Sequence, residues 1–408
     1  MERARAALMK RLNLLYASVL LMQLGNTAGV TGLPLVAKYR FDCSFWTLSF
    51  IGIAGPLTYS ASCLLLTRTL GRVSPFKMMY AGMAAFGAVF TAALFVSSPQ
   101  HLIVFSALQA VSASLFWPMM EVILAEGASG KSLSRRMGLF NINWSVADAL
   151  GAAIAGVLYR VWPFAPFAFV PACMVLTGVT VTLARRASSR SDSNGLPGDE
   201  HAPLDMIARY RKASWVANFF GFGVTGVIRS VFAAAAKDIF KMSGPVYGLV
   251  IATFNALRTL TFFALGRHSA WQYRPRLFLA VNSLLGVGMA GTFIAAFLPA
   301  ALAIPAVFIS FAAAGIGVGM TYTSSIFYSV SAHSTEDSKA HLHEAVLGAG
   351  AALFTAAAGI VTAATGSALS PLALCVFAVA GGTAFSAAYL RPSRAGGAVA
   401  AAPAETNS

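Results

Sequence analysis

RRMGLFNINWSVADALGAAIAGVLY, residues 135–159, sets how the rest of the chain is read. From Met137 onward it is long and apolar enough to cross a hydrocarbon core of about 30 Å, yet it carries Asp148 near its middle. Asn141, Trp144 and Asp148 recur at i, i+3 and i+7, so a helix places all three on one face. The other faces are Leu, Ile, Val, Ala and Gly. A carboxylate at bilayer depth costs roughly 2.5–3.5 kcal/mol. Asp148 is therefore expected to face protein or a wet cavity, as a contact between helices or as the wall of a pathway.

The surrounding composition agrees. Of 408 residues, 57% are hydrophobic and only 11% charged, too few charges to cover a soluble surface. Apolar runs of 18 or more residues recur without a two-residue period, which predicts an all-α membrane protein and not a β-barrel. The formal charge of +15 would suggest nucleic acid in a soluble protein. Here the basic residues sit in short loops, where they set topology, so no nucleic-acid partner is expected. Cys43, Cys63, Cys173 and Cys375 have no metal or disulfide spacing. The basic N-terminus leads into a run too long for a signal peptide, so it reads as an uncleaved first helix.

Twelve spans are expected, at roughly 13–36, 46–66, 76–96, 102–125, 137–159, 164–184, 213–235, 245–265, 277–297, 302–330, 342–364 and 370–390. Twenty-two of the 29 basic residues fall in the termini and even-numbered loops, and five in the odd loops. That bias places both termini in the cytoplasm. Residues 186–204 (RASSRSDSNGLPGDEHAPL) have the composition of a solvated linker. The expected division is an N-terminal bundle over 1–185, a cytoplasmic linker over 186–212, a C-terminal bundle over 213–392 and a disordered tail over 393–408. The halves echo each other. Leu70-Gly71-Arg72-Val73-Ser74 matches Leu265-Gly266-Arg267-His268-Ser269 at an offset of 195, and Gly151–Gly156 matches Phe354–Gly359 at 203. Matches at similar offsets argue for two pseudo-symmetric six-helix repeats.

With twelve helices, a 6+6 repeat, a central linker and a Gly-Arg loop after helices two and eight, the chain resembles the major facilitator superfamily over about residues 10–392. The family's loop signature is G-x-L-A-D-R-x-G-R-K. Gly71 and Arg72 match its second Gly-Arg pair and Leu66 its Leu, while Arg68 stands at the Asp, Leu64 at the first Gly and Val73 at the Lys. Phe116–Gly127, the RRMGLFNINW that follows, and His343–Leu353 are similar to bacterial members, which implies the inner membrane of a bacterium. The resemblance implies two bundles rocking about a central site, with helices five and eight facing each other. It therefore implies that Asp148 meets Arg258, a pair whose partners relieve each other's burial.

The other intramembrane charges are Glu121, Arg229 and Glu344. Glu121 lies near the cytoplasmic end of helix four and is expected to pair with Arg68 and Arg72. Glu344 with Arg267 is expected to form the matching cytoplasmic gate. Deeper polar residues are candidates for a substrate pathway: Gln23, Asn26, Gln109, Trp117, Asn141, Asn143, Trp144, Asn218, Asn255 and Tyr322. Amides and Trp beside Phe suit a neutral or amphipathic small molecule. The same residues could instead tie helices together. His341 and His343 flank one residue beside Glu344, but alternate helical residues point to different sides, so no metal is expected. No cofactor is expected either.

The leading reading is a monomeric secondary transporter that moves a small molecule, with protons as a second partner through Asp148 or Glu121. A transporter-shaped receptor or scaffold without flux stays open. A polytopic enzyme needs clustered Asp or His, and the acidic residues here are scattered singly. The substrate and the direction of transport are not written in the sequence.

Overall fold

The computed structural model describes residues 2–43, 45–66, 72–188, 203–230, 232, 235–236, 239–242, 244–331 and 339–391. Among them are thirteen α-helices and no strand. They are α1 (Glu2–Leu35, running on into a π-helical turn, Val36–Arg40), α2 (Phe45–Leu66), α3 (Pro75–Ala93), α4 (Pro99–Ser114), α5 (Trp117–Ala125), α6 (Gly130–Val161) and α7 (Ala165–Ser188), then α8 (Leu204–Ser230), α9 (Gly244–Arg267), α10 (Pro275–Ala295), α11 (Ala300–Val330), α12 (Ala340–Thr365) and α13 (Ser370–Leu390). Ten stretches are long and apolar enough to cross a membrane, and α2 adds a shorter apolar segment, Phe50–Leu66. The remaining helix, α8, carries Asp205, Arg209, Arg211 and Lys212 in its first turns.

Helix ends follow local chemistry. Proline opens α3, α4 and α10, where its missing N–H costs nothing. Ser129 and Ser132 cap α6 reciprocally, and Gly366 ends α12 at φ +64°. Two boundaries differ from expectation. The fourth span is interrupted: α4 stops at Ser114 and α5 starts at Trp117, because Pro118 can neither donate to Ser114 nor clear its carbonyl. The two pieces still make one apolar stretch, Pro99–Ala125, and with it twelve rods. Helix also covers both ends of the expected 186–212 linker, since α7 reaches Ser188 and α8 starts at Leu204. The core of the linker and the tail lie outside the described residues.

The packing partners repeat. In the first half α1 packs on α6 and α7, α2 on α4, and α3 on α4 and α7. In the second half α8 packs on α12 and α13, α9 on α11, and α10 on α11 and α13. Each contact maps onto its counterpart when α1, α2, α3, α4, α6 and α7 are laid over α8 to α13 in order. Between the halves the main contacts are α2 with α12 and α6 with α9, which exchange under the same operation.

Burial is inverted relative to a soluble protein. Val175, Ile309 and Phe377 are 67%, 72% and 77% exposed, on helix faces turned away from the seam. Such a surface is stable only against hydrocarbon. One apolar core crosses the seam through Trp144, Phe262 and Tyr322, and a second lies within the latter half around Phe232, Phe254 and Phe311.

The bundles meet near the end where α1 begins and α13 finishes. There α6 and α9 cross backbone to backbone: a Cβ on Gly138 would stand 2.4 Å from the Gly266 Cα. Ser134 donates to the Leu265 carbonyl (2.8 Å), Ser145 and Thr259 share a hydrogen bond (2.7 Å), and Gln272 reaches the Gly130 carbonyl (3.3 Å). On the opposite flank Ser60 donates to the Ala345 carbonyl at 2.7 Å, and Gly348 lies against Pro56 and Ser60. The α9–α10 loop is pinned here too. Tyr273, at φ +54°, donates its N–H to Tyr328 and accepts from the Tyr210 hydroxyl at its carbonyl. Burial raises the Tyr273 phenol to about 12, so it stays neutral at any physiological pH.

Candidate functional site

Away from that closed end the bundles part around a cavity of about 480 Å³. Helices α1, α2, α4, α5 and α6 line one side, and α8, α9, α11 and α12 the other. Tyr59, Trp117, Phe140, Tyr322 and Glu344 form its floor. Its walls rise past Gln23, Asn26, Gln109, Asp148 and Arg229 to Val30, Pro34 and Thr355.

Asp148 sits on the α6 wall, because α6 turns its Asn141–Trp144–Asp148 stripe across the seam. Its side chain is 16% exposed. One carboxylate oxygen accepts from Thr27 (2.9 Å) and Gln23 (3.2 Å), both on α1 of the same bundle. The other accepts from the Arg229 guanidinium of α8 at 2.8 Å and lies 3.9 Å from that of Arg258 on α9. The structure thus brings Asp148 near Arg258 but places Arg229 closer. Asp148 is held from behind by its own bundle and from the front by the other.

The two arginines differ in setting. Arg258 is 2% exposed and stacks over Trp144 (5.0 Å) and Phe254 (5.9 Å). A planar guanidinium can stack this way and a lysine ammonium cannot. Arg229 is 54% exposed and reaches into the cavity. It is an intramembrane charge in the sequence, but nothing in the sequence alone ties the end of α8 to the middle of α6.

The gate is arranged differently from the expectation. Glu121 is fully buried and points across the seam to His343 of α12, 3.9 Å away, rather than to Arg72. The break at Pro118 starts a new helix, α5, and carries Glu121 inward. Arg72 is exposed, and Arg68 lies outside the described residues. Glu344 likewise does not meet Arg267. It accepts from Tyr59 of α2 at 2.6 Å and lies 3.8 Å from His343. Arg267 is exposed and lies over its own helix's Phe263. The acidic residues converge in the interior, while the loop arginines stay at the surface, where hydration is cheap.

Of the expected pathway residues, Gln23, Asn26, Gln109, Trp117, Trp144 and Tyr322 line the cavity. Four lie elsewhere. Asn141 is buried in the seam with its amide 3.4 Å from Thr323. Asn143 donates to the Leu139 carbonyl of its own helix. Asn218 is fully buried, and Asn255 is half-buried and is not among the residues that line the cavity. Tyr59, Phe222 and Arg229 line the cavity without having been singled out as pathway residues, and His343 is buried beside Glu344. Their signal was faint, because one aromatic or histidine among many apolar residues fixes no direction.

The sequence profile of the Major Facilitator Superfamily matches residues 15–361. Comparison with curated protein sequences finds no match. Among solved structures, the fold is similar to that of FucP, a Major Facilitator Superfamily transporter in the outward conformation: TM-score 0.66, 15% identity, 94% of this chain and 99% of that one covered. It is similar to the human organic anion transporter MFSD10: TM-score 0.68, 14% identity, 94% and 99% covered. It is also similar to a bacterial homologue of the iron transporter ferroportin in an outward-facing state with soaked iron: TM-score 0.70, 12% identity, 93% and 98% covered. At these identities the likeness shows the fold.

Proposed function

The chain belongs to the major facilitator superfamily and is a multi-pass membrane transporter, and from that premise we propose that it carries a small anionic, amphipathic solute by alternating access. The family and its neighbours transport solutes and are not enzymes. What supports the solute class is the charge at the cavity wall. At the level of Asp148, two guanidiniums face one carboxylate. The other lining carboxylate, Glu344, lies on the floor and is taken up by Tyr59. At that level of the wall, apart from the floor, one positive charge is left over beside Trp144 and Phe222, with Gln23, Asn26 and Gln109 as hydrogen-bonding groups. A carboxylate on an apolar body fits that wall. The human neighbour is described as an organic anion transporter, and this charge imbalance is what brings the class to the present chain.

In this reading the loop charges put the termini in the cytoplasm, so the closed end is cytoplasmic and the cavity opens outward. Rocking the bundles then breaks the α6–α9 and α2–α12 contacts and opens the other side. Asp148 is the coupling group in this reading. A solute anion displaces it from Arg229, and a proton on the released carboxylate removes the penalty of burying it alone. Solute anion and proton then travel together.

A panel of aromatic and aliphatic monocarboxylates, each with its neutral amide, screened by thermal shift on the purified protein tests the solute class. Binding to the folded state raises its apparent stability by mass action. Carboxylates that stabilise the wild type and lose the effect in Arg229→Gln support the reading. Equal stabilisation by the amides, or hits indifferent to Arg229→Gln, would overturn it. Uptake of a hit into proteoliposomes under an imposed pH gradient tests the coupling, and flux that ignores the gradient rejects it.

A further inference from the structure

We infer that Glu121, His343 and Glu344 form a site for one divalent transition-metal ion that ties the two bundles together beneath the cavity floor. Glu121 comes from α5 of the first bundle, and His343 and Glu344 from α12 of the second. The His343 Nε2 lies 3.9 Å from a Glu121 oxygen and 3.8 Å from a Glu344 oxygen, and the three ligand atoms fall within 4.8 Å of one another. Ligands about 2.0–2.2 Å from a tetrahedral ion stand about 3.4 Å apart, so closing on an ion needs only a small contraction.

Three observations point to a cation site rather than a packing accident. Glu121 and His343 have side chains with no exposed surface. The His343 Nε2 has no hydrogen-bond partner, and Glu121 has none but the neighbouring acid Glu344, with which it can share a proton. Among the described residues no Lys or Arg pairs with either carboxylate. Two desolvated acids around a bare imidazole nitrogen are costly without a positive charge between them. The surroundings are also built to orient ligands. Ser325 holds the His343 Nδ1 at 2.7 Å, which leaves Nε2 as the free ligand, and Tyr59 fixes the far oxygen of Glu344 at 2.6 Å. Such outer partners are what metal-bound imidazoles and carboxylates require. One imidazole and two carboxylates suit Zn²⁺, Mn²⁺ or Fe²⁺, and Glu344 opens the set to the cavity. A bound ion spanning α5 and α12 holds the closed end shut.

Titration of the purified full-length protein with Zn²⁺ by calorimetry, and with Mn²⁺ followed by pulsed electron paramagnetic resonance, tests this. The expected result is one ion per chain, a ¹⁴N coupling from one imidazole, and affinity lowered tenfold or more in Glu121→Gln and in His343→Gln. Glu121→Gln removes a buried charge, so the metal-free variant should melt at or above the wild-type temperature, which separates lost binding from lost fold. Binding unchanged in the Glu121→Gln/His343→Gln double variant would place the ion elsewhere and overturn the inference. So would absence of the ¹⁴N coupling. So would a protein stabilised by acid alone with no response to metal, since a shared proton would then neutralise the pair. A failed titration leaves the anion reading untouched, and loss of carboxylate hits in Arg229→Gln does not bear on the metal.

Discussion

Asp148 is a residue with more suitors than one conformation needs. Thr27 and Gln23 orient it, Arg229 binds it at 2.8 Å, and Arg258 waits at 3.9 Å. Asp148→Asn leaves Arg258 buried without a counter-charge, a loss on the order of 3–5 kcal/mol where no solvent relieves it. We expect a lower melting temperature and flux that no longer follows a pH gradient. A double-mutant cycle of Asp148→Asn with Arg229→Gln, read by thermal stability, should be non-additive by about 0.5–3 kcal/mol, whereas two additive effects would mean the pair is not coupled. Arg258→Lys should destabilise despite keeping its charge, because the ammonium cannot lie flat on Trp144; an unchanged melting temperature would reject stacking as the reason for arginine. In the sequence, a buried acid on a polar stripe could be read directly from residue spacing. Its nearest partner could not, since that depends on how two bundles are rotated against each other.

At the scale of the element, α6 carries most of what the seam does. Its N-terminal half touches the other bundle through Ser134, Gly138, Asn141 and Ser145, and Asp148 faces the cavity one turn further on. Gly138→Val should prise this end open, because even a Cβ there meets the backbone of α9 at 2.4 Å. The measurement is labelling of a cysteine at Ser134, now 2% exposed, by an impermeant maleimide. Labelling should rise several-fold in Gly138→Val, and an unchanged rate would show that the crossing does not hold the state. The Gly266-Arg267 pair at the end of α9 stood out in the sequence as a repeat. Its packing against Gly138 did not, because close approach of two glycines has no one-dimensional signature. The interruption between α4 and α5 was also hidden: Pro118 permits a kink or a break, and only the inward demand of Glu121 distinguishes them.

For the whole molecule, the architecture was the most legible part. Apolar length, loop charge and the echo between halves are properties of many residues at once, and errors in any one of them average out. The site was less so, because it is made where nine helices meet. The repeated packing gives a direct test of the rocking motion. Ser145→Cys/Thr259→Cys replaces a 2.7 Å hydroxyl pair across the seam, and the four native cysteines are buried. Oxidation should abolish solute flux, reduction should restore it, and binding from the open side should survive throughout. Flux that persists through a formed cross-link would mean the bundles need not separate here. The crossing of Gly138 on Gly266 adds something to that picture. Where side chains interpose, a joint can yield by degrees as rotamers give way. Where one main chain rests on another there is nothing to yield, and the swing comes to a dead stop at the same angle on every cycle.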